Sequence, residues 1–249
     1  MRQTATPRTI PGVKRIDIAM TPAEAAILPA ADCYVVIDAL RATTTMAVLF
    51  EAGLESLLVV EELEAAVAAR EGSDALLFGE RGGLRPEGFD YGNSPVEAAT
   101  LDLRGRSAVQ VTSNGTRALC AVAGLGAVAA GSIVNLSAVA AFAAGRESVT
   151  IVCAGNGGAS RFSLEDFATA SALAKRVHAR HPGAATGDAA RLALELSSPE
   201  RLITRSEHAA VIQALGLGED VEFSARMDAV GAVPVVREFG QGWCRLERG

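Results

Sequence analysis

The segment Val35-Val36-Ile37-Asp38-Ala39-Leu40-Arg41-Ala42-Thr43-Thr44-Thr45 brings a carboxylate, a guanidinium and three hydroxyls together behind a β-branched apolar run. A carboxylate at the end of a buried strand is costly unless it meets a cation or hydrogen-bond donors. Arg41 suits an oxyanion through its planar fork, and Thr43 and Thr44 add hydroxyl donors. Together they point to a place where a metal ion and an oxyanion meet. A plainer role stays open, because aspartate ahead of a helical pattern is also a favoured N-cap.

Four more apolar runs end in polar, glycine-containing segments: Gly79-Glu80-Arg81-Gly82-Gly83, Thr112-Ser113-Asn114-Gly115-Thr116, Gly131-Ser132 with Asn135, and Cys153-Ala154-Gly155-Asn156-Gly157-Gly158. Ligands of open parallel sheets bind outside the carboxyl ends of the strands, so these ends are expected along one rim. Glu80 reads as a metal ligand or a base for water, or else as an ion-pair partner of Arg81. Arg81 is a second oxyanion clamp, with Arg161 and Arg117 as further candidates that also read as surface charges. Asn114, Gly115 and Thr116 would present amides and a hydroxyl at a helix N-terminus, or form an Asn-Gly turn. Glu165 and Asp166 fall in the first turn of a predicted helix, where acids are favoured in any case. Cys153 is a candidate catalytic thiol, and equally a buried strand-end residue. His178 and His181 read as exposed residues at a helix end.

Spacing excludes several phosphate chemistries. No Gly-Lys-Ser/Thr triplet forms a Walker loop, and Gly155-Asn156-Gly157-Gly158-Ala159-Ser160 misses the last glycine of a dinucleotide fingerprint. Leu40 stands where an aspartyl phosphatase needs its second aspartate. Ala159 stands where a cysteine phosphatase needs arginine, six positions after Cys153. Metal-assisted chemistry remains, with carboxylates for a hard cation and arginines for the oxyanion.

These residues need a scaffold. The 249 residues are 49% apolar but only 4% aromatic, so an Ala/Val/Leu core built from helices and a sheet is expected. The net charge of −6 argues against a nucleic-acid surface, and the four scattered cysteines against a disulfide framework. Residues 1–18 lack an apolar signal core, and no run reaches the ~18 apolar residues of a membrane span; a soluble cytoplasmic protein is expected. Strands are predicted at 34–37, 56–60, 75–78, 107–111, 127–130 and 149–153. Helices are predicted at 44–52, 61–70, 95–100, 116–124, 136–144 and 164–180. This alternation predicts an α/β fold, a mostly parallel sheet with helices on both faces. Residues 1–182 would form this core. Residues 183–249 would add helices at 188–196, 200–215 and 220–227 and a final strand at 233–236, which Pro234 would place at a sheet edge. A small symmetric homo-oligomer is the default for such an enzyme.

The pieces VVIDALRATTT, FGERGGLRPEGFDYGNSP, VTSNGTRAL, IVCAG and FSLED, in that order, resemble the 2-phosphosulfolactate phosphatase (ComB-like) family, as does SEHAAVIQALGLGEDVEF more weakly. The resemblance covers roughly residues 32–236. It implies an α/β magnesium-dependent hydrolase that removes phosphate from a small acid, giving sulfolactate on the route to coenzyme M. Asp38, Glu80 and Asp166 would then hold Mg2+, and His208 would be an acid or ligand. The chain departs from the family pattern at Ser113 for threonine, at Ala209 for glycine, and in Phe167-Ala168-Thr169-Ala170 for a Cys-Ala-Gly segment. Two alternatives stay open: a phosphatase of another small anionic phosphoester, and a protein that binds an anionic metabolite without turnover.

Overall fold

The computed structural model describes residues 12–249. The sequence expectation for residues 1–11 therefore lies outside the described residues. The strands are β1 (Arg15–Ala19), β2 (Cys33–Ile37), β3 (Ser56–Val60), β4 (Leu76–Gly79), β5 (Ser107–Val111), β6 (Ala127–Gly131), β7 (Ser148–Cys153), β8 (Ala185–Thr186), β9 (Pro234–Gly240) and β10 (Trp243–Arg248). The helices are α1 (Pro22–Ala25), α2 (Ala42–Glu51), α3 (Leu63–Arg70), α4 (Pro95–Ala98), α5 (Gly115–Val122), α6 (Leu136–Ala144), α7 (Leu164–Arg180), α8 (Asp188–Glu195), α9 (Glu200–Ile203), α10 (Glu207–Ala214) and α11 (Gly218–Ser224).

The strands form one sheet in the order β4-β5-β3-β10-β9-β6-β2-β7-β1-β8. The α/β expectation holds. Every residue of β2 is buried, as a strand flanked by parallel partners and covered on both faces requires. One core cluster packs α6, α7 and α8 on one face, and a second packs α2 and α5 on the other. The alternation Trp243-Cys244-Arg245-Leu246 buries Cys244 and Leu246 against the second cluster. Among the described residues no helix is long and apolar enough to cross a membrane.

Two expectations about the last third are corrected. The strand carrying Pro234 is interior, between β10 and β6. Proline is tolerated there because it is the first residue of β9, where the lost N–H costs no central ladder bond. The helix expected at 200–215 is two helices, α9 and α10. Ser206 interrupts it by capping α10, its hydroxyl accepting the Ala209 amide at 3.0 Å.

The expectation of a single rim is also corrected. β3, β5 and β4 run parallel, as do β6, β2, β7, β1 and β8. Between these blocks, β3–β10, β10–β9 and β9–β6 are all antiparallel. Three reversals leave the two blocks running in opposite senses, so the strand ends belong to two opposed rims.

Candidate active site

Ends from both blocks nevertheless meet. A cavity of about 150 Å3 is lined by Asp38, Leu40 and Arg41 after β2, Glu80, Gly82, Gly83 and Asn93 after β4, Ser113 and Asn114 after β5, and His208, Val211 and Ile212 of α10.

Asp38 is 6% exposed. One of its oxygens, Oδ1, accepts the Ala42 amide at 3.1 Å. Gly115 brings the start of α5 against it: a Cβ built on Gly115 would lie 2.7 Å from Asp38 Oδ2 and 2.6 Å from Ala42 Cβ. Gly115 therefore serves by having no side chain, and it sets the positive end of the α5 dipole beside a carboxylate. Burial pushes the Asp38 carboxyl up to about 6, with Glu80 and Glu165 adding to the rise and the Ala42 amide and His208 opposing it.

Thr43 and Thr44 do not face the cavity. The Thr43 hydroxyl accepts the Asp38 amide at 2.9 Å and lies 2.7 Å from the Gly131 carbonyl it can donate to. Thr44 Oγ1 donates to the Ala39 carbonyl at 2.9 Å and lies 2.6 Å from Ser132 Oγ. Hydroxyls in a first helical turn close readily onto nearby backbone, and here they shape the Asp38 loop. Thr116 is spent likewise, donating to the Thr112 carbonyl at 2.9 Å.

Glu80 bridges two strand ends. Its Oε1 accepts the Ser113 amide at 2.6 Å and Oε2 the Gly83 amide at 2.9 Å. Arg81 points elsewhere, donating to the carbonyls of Glu80 at 3.0 Å and Glu61 at 3.1 Å, so it makes neither the expected clamp nor an ion pair with Glu80. The turn through Gly82 and Gly83, both with positive φ (60° and 84°), directs this reversal. Asn114 Oδ1 accepts the amides of Gly158 at 3.0 Å and Ala159 at 3.1 Å, fastening the loop after β7 to the cavity edge.

Arg41, following a cis Leu40–Arg41 peptide, does reach the cavity. Its Nη1 donates to Asp220 Oδ2 at 2.5 Å and Nη2 to the Gly83 carbonyl at 2.6 Å. His208 Nε2 lies 3.0 Å from the Leu40 carbonyl, which only accepts, so Nε2 is the protonated nitrogen of that contact.

Asp166 is placed behind this wall, outside the cavity lining. Its Oδ1 accepts the Ala39 amide at 2.8 Å and Oδ2 the Gly155 amide at 2.9 Å, stapling the loops after β2 and β7. Burial, with Asp38 and Glu165 next, pushes its carboxyl well above the usual range against the pull of those two amides. Glu165 is 2% exposed in the same layer. Cys153 is fully buried and burial raises its thiol well above the ordinary value, which removes the thiolate a nucleophile needs. Arg117 pairs with exposed Glu62, and Arg161 is exposed on the loop after β7.

Asp220, Asn93 and the apolar wall of Val211 and Ile212 escaped the sequence reading. All four lie in the family-like segments FGERGGLRPEGFDYGNSP and SEHAAVIQALGLGEDVEF, and the four-residue spacing of His208 and Ile212 is a further local signal. Nothing near Asp220 marks a partner 179 positions away. Among the described residues no group of three or more His, Cys, Asp or Glu is disposed to hold a metal. The cavity offers two carboxylates, from Asp38 and Glu80.

A family model described as 2-phosphosulpholactate phosphatase matches residues 20–238. A protein of Deinococcus radiodurans named "Probable 2-phosphosulfolactate phosphatase" is 40% identical over 213 residues, covering 82% of this chain and 88% of its own. Proteins of the same name from Thermus thermophilus and Thermotoga petrophila are 38% identical over 230 residues and 37% identical over 207. The first covers 90% of this chain and 94% of its own, the second 81% and 88%.

Proposed function

This chain belongs to the 2-phosphosulpholactate phosphatase family, and from that premise we propose that it hydrolyses 2-phosphosulfolactate to sulfolactate and phosphate with the help of Mg2+. The observation that carries this reading is the meeting of Asp38, Glu80 and Arg41 on one small cavity. Two carboxylates and a guanidinium suit a phosphate monoester that arrives with a cation.

The donor set fits magnesium. That ion takes hard oxygen ligands, commonly one or two carboxylates completed by water and substrate phosphate, and does not require a third acid from the protein. Asp38 and Glu80 would hold it, and when bound it would offset phosphoryl charge and make water more acidic. Asp166, with both oxygens committed to backbone amides, holds the loop that presents Asp38.

The chain's own groups do the rest. Arg41 binds phosphate or sulfonate oxygens with the donors it does not spend on Asp220 and Gly83. The Glu80 oxygen that does not hold the ion accepts a proton from the attacking water. Val211 and Ile212 give one wall of the cavity an apolar surface, which strengthens charge interactions beside it.

Phosphate release from 2-phosphosulfolactate and from a panel of phosphorylated carboxylates, with Mg2+ and with chelator, tests this reading. Release on the sulfonate substrate that stops with chelator is expected. No metal-dependent release from any of these esters would leave only anion binding. Labelled solvent water should enter the released phosphate and not the Asp38 carboxylate.

A further inference from the structure

Arg41 is fixed from outside the strand ends. The side chains of Arg41 and Asp220 are 2% and 3% exposed. Asp220 is itself pinned: its Oδ1 accepts the Ser94 hydroxyl at 2.5 Å and the Val96 amide at 3.4 Å. Ser94 in turn is the N-cap of α4, accepting the Glu97 amide at 3.1 Å. One carboxylate on α11 thus collects donors from the start of α4 and from the loop after β2. Gly83 seals the same corner, since a Cβ there would lie 2.7 Å from Leu215 Cδ1.

Arginine carries five N–H donors and spends one on Asp220 and one on Gly83, so three are left for an anion. A free arginine loses rotamer entropy when a ligand immobilises it, whereas one already held has made that loss on folding. We infer that Asp220 is a positioning residue that aims the remaining Arg41 donors into the cavity, so that α11 sets how tightly the substrate's anionic groups are held. The identity of that anion rests on the phosphatase reading above. The rival account makes Asp220 a counterion whose only task is to neutralise a buried guanidinium.

The two accounts separate in a double-mutant cycle with Asp220→Asn, Arg41→Ala and both together. Each protein is tested for KM and kcat on 2-phosphosulfolactate with Mg2+, and for sulfolactate affinity by calorimetry. Asp220→Asn is expected to raise KM and weaken sulfolactate binding about tenfold, the size of one charge-assisted bond, with a smaller fall in kcat. In the Arg41→Ala background the same change is expected to add nothing. Affinity within about twofold of the parent, or an equal loss in both backgrounds, overturns the inference. Ser94→Ala loosens Asp220 while leaving Arg41 paired. It decides the matter if Asp220→Asn does not fold: a weakening of about threefold supports the inference, and unchanged affinity overturns it. If the parent binds sulfolactate with this coupling yet hydrolyses no phosphoester, the phosphatase reading fails while the positioning role stands.

Discussion

Asp38 and Asp166 are both buried acids beside the same loop, yet their oxygens are used differently. Asp166 gives each oxygen to a backbone amide, one after β2 and one after β7. Asp38 gives Oδ1 to Ala42 and lines the cavity, where Gly115 keeps the space around Oδ2 clear. The first pattern is that of a staple and the second that of a ligand. Both carboxyls are raised by burial, so burial alone does not separate them. Access to the cavity does: Asp38 lines it, as does Glu80 even with both of its oxygens on amides, and Asp166 does not.

The largest way to break this comparison is Asp38→Asn. Turnover with Mg2+ should fall by about 10^3-fold while circular dichroism stays that of the parent. An active mutant would return Asp38 to a helix cap. Glu80→Gln should cost about 10^2-fold in kcat, the usual scale for a positioned proton acceptor, with a modest loss of Tm from its bridge to Ser113. Asp166→Ala should behave the other way. It leaves two buried amides unpaired and should cost at least about 2 kcal/mol of stability, read by urea unfolding. A stable Asp166→Ala protein that has lost turnover would move Asp166 into the catalytic set.

The pH dependence sharpens the contrast. The Asp38 carboxyl titrates near 6 in the folded chain against 3.8 for an ordinary aspartate. The folded state therefore holds the proton more tightly, and stability falls as pH rises between those values. In chelator, Asp38→Asn should lack this fall and gain on the parent from pH 4 to pH 7. Parallel unfolding curves for the two would refute the raised value. The smallest effect belongs to Arg81→Ala. Its side chain braces two carbonyls away from the cavity, so about 1 kcal/mol of stability should go with KM little changed.

The local patterns were legible where chemistry and backbone agree. The run ending at Asp38 and the helix start carrying Glu165 and Asp166 could be read because local pattern decides them. Asp38 and Glu80 were named together with Asp166, and only the fold separates the two that line the cavity from the third. Thr43, Thr44 and Thr116 misled because a hydroxyl that can reach an anion can also reach the preceding carbonyls, and sequence does not say which it chooses. Arg81 misled because two glycines turn it outward. The interior place of β9, the opposed blocks and the Arg41–Asp220 pair depend on tertiary pairing between distant segments, which no local period encodes.

The β9–β10 hairpin has a consequence for how the molecule comes into being. It is synthesised after every other strand of the sheet, yet it is the seam between the block that ends in Glu80 and the block that ends in Asp38. A growing chain can pair the strands within each block before that point, since β1 to β8 all precede the hairpin. The sheet is not continuous between them until residues 234–248 have left the ribosome, and such late, long-range closure is slow. Catalytic competence is thereby tied to completion of the hairpin: a chain stopped before residue 234 would carry both carboxylates and have no seam to bring them to one cavity.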